Sequence, residues 1–572
     1  MARSGVSGSL RPLDCHPWLW VRGNGEVVFG PMPPRPPIRG VYRDDPRVRA
    51  AYSEGAGIYR IVPSAVAFPE DETDLLDLVG WASEHGVPLV PRGAGSSVTG
   101  SNVGEGVVLD LTRMRPRTLE VYPEASTART SAGVRWGELT DAAARHGLRL
   151  PPDPSSGQFA TLGGMISTNA SGARSVRYGS IRRWALALTL ITGKGERVRF
   201  HRGTMTHHPL PRRELLEAED LIRSRFPPTR KNSAGYALDA WLDSGDDIDL
   251  VIGSEGTLGI VTEVDWALAP IPAHRTGLRI ALGDLAMLTE AVEALLPFSP
   301  SALELMDRTF LDLVRTTQGP DVAPAGTEAI LLLEFEGDEE KALRGALGDA
   351  VRAVKHLASD IETAISHEDE AKIWRLRHSA SPIIADLPPG RRSLQVIEDA
   401  CVPVPRMGEY IATVRRTAAH LGLPVVIFGH AGDGNIHVNV LPEVDRPGWE
   451  TSIARLFDLI TDEVVRLGGT TSGEHGDGRI RREALRKLYG PGITGLFQQI
   501  KQAFDPKGIL NPGVKVPLNE PENGLATGTF DRLKTGANAE RIPEDIAAAL
   551  RELERRGDYR RDRLAIADSS EQ

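Results

Sequence analysis

The spacing of apolar and polar positions changes rhythm several times along this chain, and glycines or prolines mark most of the changes. AVAFP (65–69), the amphipathic DETDLLDLVGWASEHG (71–86) and VPLVPRG (87–93) predict a strand, a helix and a strand. Asp71 is placed to cap that helix and Gly86 to end it. Short apolar runs with glycine turns, such as GVVLDL (106–111) and ALALTLITGKGE (185–196), continue to about Pro270. Beyond it longer helices alternate with strands such as AILLLEFEG (329–337). In SIARLFDLITDEVVRLGG, positions Ile453, Leu456, Phe457, Ile460, Val464 and Leu467 form one apolar stripe, and Gly468 and Gly469 stop it. Residues 1–50, rich in Pro and Gly (PMPPRPPIRG), read as an extension that wraps or frays. From PLNEPENG onward the chain is polar and closes on a helix in IPEDIAAALRELERRG. No internal repeat is present. These patterns predict an α+β protein with an open ligand face.

VVIFGHAGDGNIHVNV (425–440) sets two histidines seven residues apart around a glycine-rich bend. If Asp433-Gly434 is a two-residue hairpin turn, His430 and His437 stand directly opposite, on one face, with Cβ atoms about 5 Å apart. Asn439 then faces the same way. Such a pair can chelate one metal ion, or can be two histidines beside a turn. TTSGEHGDGRI (470–480) favours the metal: Gly473, Gly476 and Gly478 frame Glu474-His475, so two imidazoles and one carboxylate leave coordination positions open for chemistry. The extra histidine is then available as a base.

Three glycine-rich segments resemble one another in character: PRGAGSSVTG (91–100), ATLGGMISTNASG (160–172) and VIGSEGTLGIVTE (251–263). The first offers a nest of backbone N–H groups and hydroxyls that suits a pyrophosphate, but it lacks the third glycine of the dinucleotide fingerprint. Three such loops imply a large phosphate-bearing cofactor. Glu304 and Asp307, in ALELMD, read as surface or interdomain charges.

Composition narrows the classes. At 572 residues, two or three domains are expected. A net charge of −10 without a basic run argues against a nucleic-acid partner. The only two cysteines, Cys15 and Cys401, cannot build a disulfide framework or a cysteine-ligated iron–sulfur cluster. No apolar window is long enough to span a membrane, and the N-terminus shows no secretory signal. The cytoplasm is the expected compartment, with a peripheral position at a membrane left open.

The ordered motifs PRGAGSSVTG, PPDPSSGQFATLGGMISTNASG, KNSAGY, VIGSEGTLGIVTE, FGHAGDGNIHVNV, SGEHGDG and FDPKGILNPG resemble the flavoprotein superfamily of vanillyl-alcohol oxidase and p-cresol methylhydroxylase. Within it they are similar to FAD-dependent D-2-hydroxy acid dehydrogenases: D-lactate and D-2-hydroxyglutarate dehydrogenases and the glycolate oxidase D subunit. The resemblance implies a two-lobed FAD-binding domain of the p-cresol methylhydroxylase type at 51–270 and an α+β cap domain with an antiparallel sheet at 271–508. A return segment at 509–518 and a polar C-terminal tail at 519–572 complete the expected organisation. It implies non-covalent FAD, held at its pyrophosphate by Pro91, Arg92, Gly93, Ala94, Gly95, Ser96 and Ser97. Thr161, Gly163, Gly164, Thr168, Asn169 and Ser171 would lie along the flavin. Glu255, Gly256, Thr257, Leu258, Gly259 and Ile260 would line the adenine and ribose side, with Asn511 returning near the isoalloxazine. His430, His437 and Glu474 match the divalent-metal ligands, zinc first, with manganese or iron(II) also fitting. His475 matches the general base, and Arg377 and Asn439 the contacts to the substrate carboxylate.

Two departures shape the expected function. SGEHGDGR and EGAGIYR resemble large flavin/iron–sulfur fusions, whose cysteine-rich domain two cysteines cannot supply. Electrons are therefore expected to leave to a separate iron–sulfur subunit, a quinone, a cytochrome or oxygen. In QVIEDACVPV, Ile397 and Glu398 stand where some 2-hydroxyglutarate enzymes offer a lysine, which counts against a dicarboxylate substrate. The expected activity is oxidation of a small D-2-hydroxy acid to its 2-oxo acid. It combines metal-assisted removal of the hydroxyl proton by His475 with hydride transfer to flavin. A homodimer is compatible with all of this. The alternatives are a non-redox flavoenzyme of the alkyl-dihydroxyacetonephosphate synthase type, a flavin-binding subunit of a larger iron–sulfur complex, and a plain metal-binding module.

Overall fold

Asp71 accepts hydrogen bonds from the N–H of Thr73 (2.9 Å) and Asp74 (3.3 Å), and Gly86 takes the left-handed conformation at φ 66° that ends helix Glu72–His85. The computed structural model describes residues 11–13, 16–21, 27–29, 33–319, 322–388, 390–516, 529–536 and 538–569. Cys15 and PLNEPENG fall outside them.

Helix Glu72–His85 buries Leu75, Leu78 and Val79 against a four-stranded sheet in the order Val41–Arg43, Ala65–Phe68, Val107–Asp110, Leu89–Arg92. Two of its three pairings run parallel, and the third, at the Val41–Arg43 edge, is antiparallel. That edge strand and helix Pro46–Ala51, whose Val48 and Ala51 are buried, make the end of the expected extension part of the fold. A five-stranded antiparallel sheet follows, with Ala185–Thr192, Gly259–Ala267 and Thr127–Ser131 at its centre.

The later part of the chain builds a seven-stranded antiparallel sheet from His274–Leu282 onward, including Ala302–Asp307, Ala329–Gly337, Val425–His430 and Asn435–Val440. Helix Trp449–Arg466 packs onto its core through Ile453, Leu456, Phe457, Ile460 and Val464, the stripe read from the sequence, with Leu467 buried at its cap. After helix Ala484–Phe504 the chain returns to the first sheet, where Leu89 N–H donates to the Ile509 carbonyl and Asn511 N–H to the Leu89 carbonyl, both at 2.8 Å. The buried Lys501 ammonium fixes this return by donating to the Leu510 and Thr257 carbonyls at 2.8 and 2.7 Å.

The polar tail is less polar in effect than its composition suggests. Helices Glu544–Arg556 and Arg563–Asp568 bury Ile546, Leu550, Leu553 and Ile566 against the first sheet's outer face. Each such side chain contributes about 1.5–3 kcal/mol relative to exposure.

Candidate active site

The histidine hairpin has a different register from the expected one. His430 pairs with Asn435 and Phe428 with His437, and residues Ala431–Asp433 form a helical turn closed by Gly434 at φ 71°. The loop is therefore longer than a two-residue Asp-Gly turn. Its shape is set by tertiary contact: Val402 N–H donates to the Gly434 carbonyl at 2.9 Å, and a Cβ on Gly434 would meet the Val402 carbonyl at 2.1 Å. The slip is by two positions, so side chains keep their face. His430 and His437 remain on one side, diagonal rather than opposite, with ring centroids 5.0 Å apart.

Glu304 and Asp307 require a second correction, since both are fully buried rather than surface charges. Glu304 lies on the strand beside Val425–His430, in register with His430. Its Oε1 accepts from His430 Nδ1 at 2.6 Å and its Oε2 from Arg377 Nε at 2.9 Å. Asp307 caps helix Arg308–Gln318 and pairs with Arg415 at 2.8 Å.

The SGEHGDG loop is strung between two buried carboxylates. Asp399 accepts from the N–H of Glu474 (3.1 Å) and His475 (2.8 Å), while Glu255 accepts from Asp477 (2.7 Å) and Gly478 (2.9 Å). Gly476, at φ 82°, passes so close to Glu255 that a Cβ would lie 2.6 Å from its carboxylate. The loop delivers Glu474 and His475 to the hairpin face. Glu474 Oε1 then sits 3.2 Å from His430 Nε2, 3.4 Å from His437 Nε2 and 3.5 Å from His475 Nε2. Its other oxygen, Oε2, accepts from Ser171 Oγ and, at 2.8 Å, from Lys231 Nζ.

Each imidazole has its opposite nitrogen occupied. His430 Nδ1 faces Glu304, His437 Nδ1 faces the Glu398 main-chain oxygen at 3.0 Å, and His475 Nδ1 faces the Glu398 carboxylate. These contacts turn three Nε2 atoms toward one carboxylate oxygen. His430, His437 and Glu474 are a buried group of ligand atoms within 4.8 Å of one another. They fit a divalent cation, with their outer partners orienting the ligands.

The electrostatics agree with a pocket that holds positive charge. Burial opposes an imidazolium at His475, but the Glu398 carboxylate and then Asp399 outweigh it and raise the group to about 10. Burial likewise opposes charge at His430, and Glu304 raises it to about 9. Glu474 would be pushed up by burial, yet the Lys231 ammonium and His430 hold it well below the usual carboxylate range. A divalent cation at the shared point satisfies the same atoms and opposes imidazolium formation.

This cluster opens onto a cavity of about 1180 Å³, larger than the roughly 300–1,000 Å³ of an ordinary small-molecule site. Its walls include the whole Pro91–Ser97 loop, Thr161, Gly163, Gly164, Thr168 and Ser171, and Glu255, Gly256 and Gly259. Arg377, Asn439 and His475 share it with the metal-ligand candidates. No described hydrogen bond uses the backbone N–H groups of residues 93–97, which leaves a nest of donors for phosphate oxygens. A Cβ on Gly93 would come 2.2 Å from Thr161 Oγ1, so the Pro91–Ser97 loop and the N-terminus of helix Leu162–Thr168 need glycine to meet. The Arg92 guanidinium lies beneath this loop, donating to the carbonyls of Tyr52, Glu54 and Asn102.

Asn169, Thr257, Leu258, Ile260 and Asn511 are not on the cavity wall. Leu258 and Ile260 are core side chains, and Thr257 Oγ1 bonds Tyr236 at 2.8 Å. Asn169 ends helix Leu162–Thr168 at φ 54°, and Asn511 Nδ2 ties the Ser101 and Glu255 carbonyls together at 2.8 Å. Lys231 lies within the KNSAGY motif that carries the resemblance, yet spacing alone does not point it at Glu474. Glu398 and Glu304 carry no motif signal: strand pairing reveals Glu304, and the turn before Ala400–Cys401 brings Glu398 to His437 and His475.

Comparison with known proteins agrees with this geometry. Residues 63–201 match the FAD binding domain family and residues 271–514 the C-terminal domain of FAD linked oxidases. The chain is 32% identical to a D-lactate dehydrogenase of Archaeoglobus fulgidus, over 78% of this chain and 90% of that one. It is 30% identical to the glycolate oxidase subunit GlcD of Bacillus subtilis, over 80% and 89%. A D-2-hydroxyglutarate dehydrogenase of Pseudomonas putida is 29% identical over 90% of this chain but 54% of its own length. Among solved structures, p-cresol methylhydroxylase with bound substrate shares the fold at a TM-score of 0.63 and 16% identity, covering 84% of this chain and 95% of that one. The chain belongs to the FAD-dependent D-2-hydroxy acid dehydrogenase branch of the p-cresol methylhydroxylase superfamily, and is an FAD-linked oxidoreductase acting on CH–OH groups.

Proposed function

We propose that the protein oxidises a small D-2-hydroxy acid, of the D-lactate, glycolate or D-2-hydroxyglutarate type, to the 2-oxo acid and passes the electrons to an external acceptor. The observation that carries this reading is the convergence of three imidazole Nε2 atoms on Glu474 Oε1, at the wall of the cavity that the phosphate and flavin loops also line. When bound, FAD supplies the two-electron acceptor and a divalent cation held by His430, His437 and Glu474 supplies Lewis acidity toward the hydroxyl. Zinc, manganese and iron(II) all suit that donor set.

His475 is the base. Its Nε2 faces the cavity side of the cluster and takes the hydroxyl proton, while Glu398 at Nδ1 fixes the ring and stabilises the imidazolium that forms. Arg377 is anchored at Nε by Glu304 and sits over the Phe428 ring at 4.7 Å, leaving its terminal nitrogens for the substrate carboxylate. Asn439 Oδ1 accepts from Ser393 Oγ at 3.0 Å, which directs its amide N–H groups elsewhere in the cavity. Ile397 is packed into the core and Glu398 is committed to His475 and Arg481, so neither offers a cation to a distal carboxylate.

The test is a panel of D- and L-2-hydroxy acids mixed with the holoenzyme under argon. D-Lactate or glycolate should bleach the flavin and yield the 2-oxo acid. Flavin that stays oxidised with every member of the panel would refute the proposal and favour a non-redox flavoenzyme.

A further inference from the structure

The matched oxidase domain ends at residue 514, yet residues 529–536 and 538–569 fold back onto the cofactor cavity. Thr535, Arg551, Glu554, Gly557 and Tyr559 form part of its wall, beside the phosphate loop and the 153–161 segment. We propose that this segment is a cofactor-binding element, a strap across the cavity that retains the flavin dinucleotide and slows its release.

The strap is anchored on both sides of the opening. On the first lobe, Lys534 N–H donates to the Ile58 carbonyl at 2.8 Å and Arg60 N–H to the Arg532 carbonyl at 2.9 Å. Arg560 Nε donates to the Gln158 carbonyl at 3.0 Å, and Arg563 is buried against Ala51. On the cap side, helix Glu544–Arg556 packs beside helix Ala380–Ala385. Leu550 and Ile566, 2% and 1% exposed, seat the two strap helices in the first lobe's core, so the strap is docked rather than draped.

One pair of rings joins the two segments on the cavity wall. Phe159 and Tyr559, both on its wall, stand with centroids 5.3 Å apart, one from the flavin-side segment and one from the strap. A dinucleotide seated with its phosphates on residues 93–97 has no covalent tether in PRGAGSSVTG, which offers no histidine or cysteine. Its residence time then depends on what covers it, and on this side the cover is the strap.

The experiment follows the fluorescence of released FAD after the holoenzyme is diluted, for the parent, for Tyr559→Ala and for Leu550→Asp/Ile566→Asp. The strap predicts release about tenfold faster or more in the double variant and several-fold faster in Tyr559→Ala. Acceleration of at least threefold in either variant supports it, and release accelerated less than threefold in both overturns it. If the double variant does not fold, the Tyr559→Ala rate alone decides. Because no substrate is used, the outcome is independent of whether the protein oxidises 2-hydroxy acids.

Discussion

At the scale of single residues, the proposed mechanism assigns the metal to one set of groups and the proton to another. On the proposed mechanism His475→Ala removes only the base, so kcat should fall about 10²–10⁴-fold while the purified protein stays yellow and its metal content matches the parent's. Colourless protein from this variant would contradict the assignment. Glu398 supports His475 through its carboxylate and His437 through its main-chain oxygen. Glu398→Gln should therefore lower kcat about 10- to 100-fold yet leave the metal-to-protein ratio unchanged, because the main-chain contact survives. Glu304→Gln should behave differently. Glu304 holds both His430 and Arg377, the proposed metal ligand and substrate contact, so metal affinity should fall about 10- to 100-fold and KM should rise with it. Metal titration and steady-state kinetics on the two variants distinguish these outcomes.

At the scale of elements, His430, His437, Glu474 and His475 are legible as motifs that the fold brings together, and so are the Pro91–Ser97 loop on the cavity wall and the helix stripe from Ile453 to Val464. What spacing could not show was anything set by contact between distant elements. The hairpin register depends on Val402, more than twenty residues before the turn. Glu304 looks like an ordinary strand charge until its strand is paired with Val425–His430. The strap looked like a polar tail because its apolar positions, Ile546, Leu550, Leu553 and Ile566, are thinly spaced along two short helices. The SGEHGDG loop carries a prediction of its own. Gly476→Ala puts a Cβ against the Glu255 carboxylate at a backbone conformation that costs an L-residue about 1–3 kcal/mol. Relieving the clash must disturb the Asp477 and Gly478 N–H bonds that position His475. A modest fall in melting temperature should come with a larger fall in kcat, and an unchanged kcat would show that the loop does not depend on this contact.

At the scale of the molecule, buried ion pairs join the matched FAD binding domain to the matched C-terminal domain of FAD linked oxidases. Arg149 Nη2 meets Glu336 at 2.6 Å and Arg174 Nη2 meets Glu334 at 2.7 Å. Burial would raise the Glu336 carboxyl, but Arg149 and Tyr178 hold it below its ordinary value. A depressed carboxyl stabilises the fold above its unfolded pKa, about 4.3 for glutamate, and loses that contribution as pH falls through the folded value. Glu336→Gln should thus cost about 3–5 kcal/mol near neutral pH, with the difference from the parent shrinking below about pH 4. Chemical denaturation at both pH values checks it. The most direct test of the central claim, a cation held by His430, His437 and Glu474 beside the flavin, is rapid anaerobic mixing of D-lactate or glycolate with metal-stripped, FAD-replete enzyme and with the same enzyme reloaded with zinc or manganese. Flavin bleaching should collapse on stripping and return on reloading; bleaching at the same rate in both would contradict the account.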